Sequence, residues 1–293
     1  MTRGRATTVG FVAVLLWALL ALLTVGSAPV PPLLLNAITF AVGGVLGVVW
    51  TLANGTWRQL ASVPVGVYVF GIAGLCGYHL LYFSALRLAP PAEASLIAYL
   101  WPLFIVLMSG LLPGERLRAG HVIGALLSFA GAALIVMRSG SGFDPAHVKG
   151  LALAFLAALT WATYSVVSRR FGAVPTASVT IFCLGTAVLS AAAHMAFETT
   201  AWPVSTLGWA SSIALGLGPV GLAFYVWDIG VKQGDIQLLG VTAYAAPLLS
   251  TLILIAAGLA PATPRIAVAA LLITGGALVA ARAGASRADL SSG

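Results

Sequence analysis

Aromatic side chains recur in the middle of long apolar segments of this sequence. Trp17, Trp101 and Trp161 lie near the centres of three segments that are long enough to cross a bilayer. Tryptophan normally sits at the membrane–water interface, and an indole N–H inside hydrocarbon needs a hydrogen-bond partner. Packing between helices explains each residue taken alone. Together they predict an aromatic wall that can stack on a planar ring.

Two helical patterns add polar groups to this wall. In segment 65–88, Tyr82 follows His79 by three positions and Tyr78 by four, so the three share a helical face. Segment 150–170 carries a similar stripe, made of Trp161, Tyr164, Ser165 and Ser168. Polar residues inside a membrane are costly and usually face a cavity. We therefore expect a cavity with hydroxyls and one imidazole, where His79 contacts a substrate or relays protons; the alternative is a hydrogen-bonded packing residue.

Proline interrupts two segments at corresponding places. Residues 98–103 read Ala-Tyr-Leu-Trp-Pro-Leu, and residues 243–248 read Ala-Tyr-Ala-Ala-Pro-Leu. The matching pairs, 145 positions apart, are Tyr99 with Tyr244 and Pro102 with Pro247. A broken helix frees backbone polar groups, which are tolerated at membrane depth only inside protein or along a cavity. Paired breaks in two repeats are typical of a transporter's binding site. Because Trp101 corresponds to Ala246, the site is expected to be asymmetric.

The composition requires a membrane protein. The chain of 293 residues is 60% hydrophobic and 7% charged, against about 25% charged in ordinary soluble domains. Its mean hydropathy is +1.06. The predicted spans 1 to 10 are 8–26, 32–53, 65–88, 91–112, 119–137, 150–170, 176–197, 207–231, 236–258 and 264–282. Residues 1–27 resemble a signal peptide, but their apolar stretch is long and further spans follow, so we interpret them as a retained first helix.

The repeat determines the topology. Each half contains five spans, an odd number, so the second half must be inverted relative to the first. We predict an all-α polytopic membrane protein whose ten helices form two five-helix inverted repeats around a central cavity. The boundaries are 1–138 for the first repeat, 139–149 for the linker loop and 150–293 for the second repeat. The run Gly-Pro-Val-Gly at 218–221 is expected to loosen span 8, and glycine pairs such as Gly120 and Gly124 to permit close helix approach.

The basic residues predict the orientation, because Lys and Arg are enriched in cytoplasmic loops. With a cytoplasmic N-terminus, ten basic residues lie inside and four outside, so both termini are cytoplasmic. The inside set is Arg3, Arg5, Arg58, Arg116, Arg118, Arg169, Arg170, Lys232, Arg282 and Arg287. The outside set is Arg87, Arg138, Lys149 and Arg265. Because they are scattered over short loops, we expect no nucleic-acid partner despite a net charge of +7.

Two pairs of charged residues lie near span ends. Glu93 begins span 4 close to Arg87, and Asp228 precedes Lys232 by four residues in span 8. We expect interfacial ion pairs that fix the helix hinges, or gates that break and reform during transport. Spans 1 and 6 carry no carboxylate, which argues against an exporter of cationic drugs. No Lys or Arg lies at mid-depth, which argues against phosphate-bearing substrates.

Other classes find little support. Cys76 and Cys183 lie in apolar segments and are expected to be packing residues without a disulfide. His, Cys, Asp and Glu show no metal-ligand spacing, so neither metal nor cofactor is expected. The motifs of rhomboid-type proteases, prenyl transferases and metalloproteases are missing from the sequence, so we expect no enzyme. A receptor or scaffold stays open, but it gives no reason for a duplicated core with broken helices.

Ten spans, inverted halves and a small-residue entry to span 4 that ends in a mid-helix proline (92–102) resemble the drug/metabolite transporter superfamily, EamA-like ten-helix type. The run Tyr99-Leu100-Trp101-Pro102 after Glu93 is similar to that of bacterial inner-membrane exporters of aromatic amino acids. The resemblance implies spans 1–4 and 6–9 around the cavity, spans 5 and 10 behind them, and export of aromatic and other neutral amino acids by alternating access. Another small neutral metabolite or drug is the alternative cargo. A monomer is expected.

Overall fold

The structure, a computed structural model, describes residues 1–136 and 145–285, and the regular secondary structure of these residues is entirely helical. Nine helices are long and apolar enough to cross a membrane: α1 Arg3–Gly26, α2 Pro32–Ala53, α3 Val65–Leu88, α5 Ala119–Val136, α6 Pro145–Arg170, α7 Thr176–Phe197, α8 Thr206–Gln233, α9 Ile236–Ala256 and α10 Pro264–Gly284. Helix α4 is shorter and consists of Pro91–Ala98 and Trp101–Ser109. These helices confirm the ten predicted spans.

Most helix ends lie within a few residues of the prediction. The largest differences are the earlier starts of α1, at Arg3 where residue 8 was predicted, and of α6, at Pro145 where residue 150 was predicted. Hydrophobicity alone missed the polar first turn of α1, which Thr2 caps by accepting the amide of Arg5. Residues 137–144 and 286–293 lie outside the described residues; they include Arg138, residues 139–144 of the predicted linker, and Arg287.

Proline breaks α4 and α9 at the predicted positions. The α-helix stops at Ala98 and resumes at Trp101, and it stops at Thr242 and resumes at Ala245. Proline has no amide hydrogen and its ring clashes with the carbonyl one turn earlier, so a regular helix cannot continue through Pro102 or Pro247. The amide of Leu103 next to the first break donates to Tyr244 Oη at 3.1 Å. The two breaks are therefore joined by a hydrogen bond.

The interior of α8 also departs from regular geometry. Residues Gly218–Leu222 form a π-helical turn between Thr206–Leu217 and Ala223–Gln233. A π-turn disturbs the regular carbonyl ladder, a feature often found at functional sites. The carbonyl of Pro219 in this turn accepts the indole N–H of Trp17 at 3.1 Å. The glycine–proline run thus gives α8 a polar group directed at α1.

The helix packing has the symmetry of an inverted repeat. The most extensive contacts pair α2 with α7, α5 with α10, α1 with α8 and α3 with α6, and α4 contacts α9. If each helix is replaced by its counterpart in the other half, from α1 and α6 to α5 and α10, the same set of pairs results. Some pairs need glycine: a Cβ on Gly10 would lie 2.8 Å from Gly230 Cα, and one on Gly124 would lie 2.5 Å from the carbonyl oxygen of Gly276. Helices α5 and α10 pack together beside the remaining eight.

Candidate functional site

A cavity of about 420 Å³ lies between α1, α3, α4, α5, α6, α8 and α9. Its wall is mainly apolar and rich in aromatic rings, with hydroxyl groups and one imidazole. The lining residues are Trp17, Leu20, Ala21, Tyr78, His79, Tyr82, Ser95, Ala98, Tyr99, Trp101, Ile135, Val136, Trp161, Pro219, Val220, Phe224, Ala246, Pro247, Ser250, Thr251 and Leu254. Among these described residues there is no Asp, Glu, Lys or Arg. The chamber therefore suits an uncharged or zwitterionic molecule with a large apolar surface.

The structure brings most of the predicted site residues to this cavity. Those on the wall are Trp17, Tyr78, His79, Tyr82, Tyr99, Trp101, Trp161 and Pro247. Pro102, Tyr164 and Tyr244 lie behind it. Tyr244 is fully buried with its hydroxyl on the amide of Leu103, while Tyr164 packs on Trp161 at 5.3 Å between ring centroids. These three residues support the wall and do not reach the space within it.

Four indoles pack together beside the cavity, and three of them, Trp17, Trp101 and Trp161, line it. Trp17, Trp101, Trp161 and Trp227 come from α1, α4, α6 and α8, and we call them the tryptophan cluster. All six pairs of rings have centroids 5.1 to 6.5 Å apart. Offset and edge-to-face contacts of this kind are favourable beyond their buried area. Sequence reasoning missed Trp227, although the offset of 145 residues pairs it with Tyr82, a predicted site residue.

The indole N–H groups of the cluster fall into two classes. Trp17 donates to the carbonyl of Pro219, and Trp227 donates to Ser165 Oγ, each at 3.1 Å. Within the described part of the chain, only Trp17 and Trp227 of the cluster have an acceptor for the indole N–H, whereas Trp101 and Trp161 line the cavity. The indole N–H groups of Trp101 and Trp161 are therefore available to an acceptor group of a ligand in the cavity.

The ring of His79 has a defined hydrogen-bonding direction. Its Nδ1 lies 2.7 Å from the carbonyl oxygen of Leu75, one turn earlier in α3. A carbonyl oxygen only accepts, so Nδ1 carries the proton and Nε2 of the neutral ring is an acceptor. Phe40 holds the ring edge-on at 5.0 Å between centroids. Nearby, Tyr82 and Ser95 share a hydrogen bond of 3.0 Å between their hydroxyl oxygens.

The cavity extends toward one end of the molecule. In this direction its wall comes from the late turns of α1, α5 and α9, including Leu20, Val136 and Leu254. Arg87 and Glu198 lie at this end, which we call the Arg87 end. The opposite end, called the Glu115 end, is separated from the cavity by the tryptophan cluster. In this structure the cavity is therefore closed toward the Glu115 end.

A group of charged residues ties the helices together at the Glu115 end. Glu115 follows α4, its side chain is 4% exposed, and it pairs with Arg3 of α1 at 3.1 Å and with Arg169 of α6. Arg3 also pairs with Asp235 at 3.2 Å, and Arg169 donates to the carbonyls of residue 231 in the last turn of α8 and residue 234 just after it. We call Arg3, Glu115, Arg169 and Asp235 the Glu115 cluster. Sequence reasoning used its arginines only for orientation, because residues more than 50 positions apart give no local signal of contact.

The ion pairs at the Arg87 end differ from the prediction. Arg87 pairs with Glu198, not with Glu93. The carboxylate of Glu198 also accepts the amides of Leu33 and Leu34 at the start of α2, and it lies 3.0 Å from His194 Nδ1. A helix N-terminus favours an anion, so Glu198 caps α2 while it binds Arg87. The expectation of an Arg87–Glu93 pair was wrong. It relied on closeness in the sequence, whereas the actual partner, Glu198, is 111 positions away.

The other predicted ion pair is present but lies away from the cavity. Lys232 Nζ is 2.9 Å from Asp228 Oδ2, and the two side chains are 4% and 1% exposed. Thr176 donates to the same carboxylate at 2.7 Å, and Lys232 donates to the carbonyl of Val174 at 3.0 Å. These bonds join the last turns of α8 to the first residue of α7 and to the segment before it. A gating role for this pair stays a prediction.

Known proteins resemble the chain over nearly its full length. The model of the EamA-like transporter family matches residues 5–137 and 148–282, once in each half. The aromatic amino acid exporter YddG of Ancylobacter novellus is 54% identical over 96% of this chain and 98% of its own. The protein of the same name from Escherichia coli K12 is 25% identical over 95% of this chain and 97% of its own.

The fold also has a close match among solved structures. A crystal structure of a protein 54% identical in sequence superimposes with a TM-score of 0.91, over 95% of this chain and 98% of the other. A family model that covers both halves, together with these relatives, agrees with the helix order and the repeat symmetry. The chain belongs to the EamA-like transporter family of the drug/metabolite transporter superfamily.

Proposed function

We propose that this protein exports aromatic and other neutral amino acids across the bacterial inner membrane. Relatives that match over almost the whole chain are named as aromatic amino acid exporters. The observation that carries the proposal is the aromatic cavity, whose described lining has no Asp, Glu, Lys or Arg. An aromatic amino acid presents a ring for stacking and a zwitterion without net charge, so neutral donors and acceptors suffice to hold it.

Each end of the substrate has a candidate partner. We assign the carboxylate to the free indole N–H groups of Trp101 and Trp161, and the ammonium group to His79 Nε2. The substrate ring would then pack among Tyr78, Phe224 and the other aromatic walls. Charge-assisted hydrogen bonds are the stronger kind, so these few contacts would orient the molecule. Tyr99 and Tyr82 complete the proposed site.

The proposed cycle is alternating access in a monomer whose termini are both cytoplasmic. The Arg87 end is then outside, and the structure is an outward-open state closed on the cytoplasmic side. The repeats, 1–138 and 150–293 with a linker at 139–149, would exchange arrangements to open the other side. The Glu115 cluster would have to separate in that step, with Asp228 and Lys232 as a further hinge. Transport by this route needs no cofactor, nucleic acid or enzymatic step.

The test is uptake of labelled tryptophan into liposomes that contain the purified protein. We expect saturable uptake, accelerated by unlabelled amino acid inside, blocked by phenylalanine and unaffected by glutamate or a cationic dye. A pH jump distinguishes two roles of His79. If the jump alters tryptophan accumulation in the parent but not in His79→Gln, then His79 couples flux to protons; if it alters neither, His79 is a contact in a facilitator.

Failure of the proposal is equally well defined. Glutamate or the dye competing as well as phenylalanine would contradict a neutral aromatic site. Absence of uptake for every amino acid tested would discard the assignment and favour another small neutral metabolite or drug as cargo. Empty liposomes and the Trp101→Ala protein serve as the two controls.

A further inference from the structure

A second, larger crevice of about 1030 Å³ opens at the Glu115 end, away from the transport cavity. It lies between the first turns of α1, α5 and α9 and the last turns of α10. Its polar side includes Arg3, Arg116, Arg118, His121 and Asp235. None of its lining residues belongs to the cavity wall. The transport function proposed above therefore does not account for it.

His121 is the most informative residue of this crevice. The residue is 3% exposed, and its Nδ1 accepts the amide of Arg118 at 3.2 Å. Nδ1 is thus an acceptor, so Nε2 carries the proton and is a donor. Among the residues that the structure describes, no acceptor is bonded to Nε2, and the side chain lines the crevice. The side chain is almost fully buried, but this N–H faces the crevice, where it can donate to an acceptor group of a ligand.

The charges on the crevice wall favour an anion. Three guanidinium groups and one carboxylate line it. The carboxylate, Asp235, is already engaged by Arg3 at 3.2 Å and by the amide of Leu238 at 3.0 Å. Arg116 is exposed and makes no ion pair within the described ranges. Arg118 gives one N–H to the carbonyl of Ala283, at 2.7 Å, and its fork has further donors.

The opposite wall of the crevice is apolar. Phe11, Leu238, Ala280 and Ala281 line it beside the basic groups. Further along α1, Leu15 is 47% exposed, on a surface that faces lipid in a membrane-spanning helix. A basic pocket that continues into an apolar surface between helix ends matches a phospholipid, in which the phosphate and the acyl chains are joined. Free phosphate would contact only the polar side of the crevice.

We propose that this crevice binds the phosphate headgroup of an anionic phospholipid from the leaflet at the Glu115 end. Arg116, Arg118 and His121 donate to the phosphate oxygens, and the acyl chains lie along Phe11 and Leu238. The lipid would bridge α1, α5, α9 and α10 next to the Glu115 cluster. It would therefore favour the state in which this end is closed, because these donors converge in the observed packing.

The test measures lipid binding by the full-length protein in detergent with native mass spectrometry. Phosphatidylglycerol and phosphatidylcholine with identical acyl chains are titrated separately. We expect phosphatidylglycerol to bind more tightly, and Arg116→Gln or His121→Gln to raise its Kd by about tenfold each, the scale of one lost charge-assisted hydrogen bond. Arg58→Gln is the matched control, because Arg58 is a basic residue at the same end that lies over Trp57, outside the crevice.

Three results would overturn the proposal. One is equal affinity for the two lipids, and another is an unchanged Kd in Arg116→Gln. Arg116 is exposed, so that variant is expected to fold even if His121→Gln does not; melting temperatures without added lipid check both. The third is full displacement of the lipid by millimolar inorganic phosphate, which would assign the polar side to free phosphate. A Kd raised in both crevice variants and unchanged in Arg58→Gln supports the lipid site.

Discussion

Neutralising Glu115 should make the closed end open more often. Its carboxylate is almost fully buried and holds Arg3 and Arg169, so one residue joins α1, α6 and the segment after α4. The change Glu115→Gln keeps the shape and one oxygen acceptor but removes the charge. Arg3 and Arg169 would then lose their charged partner in the conformation in which this end is closed. The open conformation, in which the cluster is separated, would lose no such contact. The variant therefore acts on one conformation more than on the other.

The size of the effect follows from the contacts. A hydrogen bond to a charged group contributes about 1.5–3 kcal/mol net. The Arg3 side chain is 39% exposed, so the contribution of its bond to Glu115 is reduced by solvent screening. The Arg169 side chain is 17% exposed, so its bond is screened less. We expect a total loss of about 1.5–3 kcal/mol, after allowing for the bond that glutamine retains. Since 1.4 kcal/mol is tenfold, the open population at this end should rise by about 10- to 100-fold.

A buried cysteine reports that population. Ser168 lies in the last turns of α6 and is 4% exposed, so maleimide labelling of Ser168→Cys requires opening of the Glu115 end. The native Cys76 and Cys183 are buried, and the parent protein gives their background. Adding Glu115→Gln should accelerate labelling about 10- to 100-fold, because a rare open state limits the rate. Glu93→Gln is the matched control, since within the described residues Glu93 makes no ion pair. Labelling within about twofold of the parent would refute a closing role for the cluster.

The cavity and the packing give further predictions. Trp101→Ala should lower tryptophan transport at least about tenfold by removing a wall and a donor, whereas Trp202→Ala, which removes an exposed ring stacked on Trp209, should not; equal loss in both would point to misfolding. Ala246→Trp, at the position of the second repeat that corresponds to Trp101, should fill the cavity and abolish transport while the melting temperature stays near the parent's; unimpaired flux would place the substrate elsewhere. Gly124→Ala should destabilise the α5–α10 pair by about 1–3 kcal/mol, read as a lower melting temperature, because its Cβ would lie 2.5 Å from the carbonyl oxygen of Gly276. Gly66→Ala is its control, as nothing lies within 4 Å there, and equal melting temperatures would contradict the packing argument.

The sequence alone was sufficient for the architecture. Span positions follow from local hydrophobicity, and the helix breaks follow from Pro102 and Pro247, because proline acts on its own turn whatever surrounds it. The inverted repeat follows from an offset of 145 residues and an odd number of spans per half. The aromatic part of the cavity wall, except Phe224, was also predictable, since aromatic and polar residues at mid-depth are rarely placed against lipid.

Only the tertiary structure decided which side chains meet. The rotation of α6 about its axis places Trp161 on the cavity wall and Tyr164 behind it, although both belong to one predicted stripe. Arg87 binds Glu198 across 111 positions, and Glu115 binds Arg3 across 112. Such contacts depend on how whole helices approach one another, which spacing within a single helix does not encode. The closed Glu115 end and the basic crevice beside it arise from that packing.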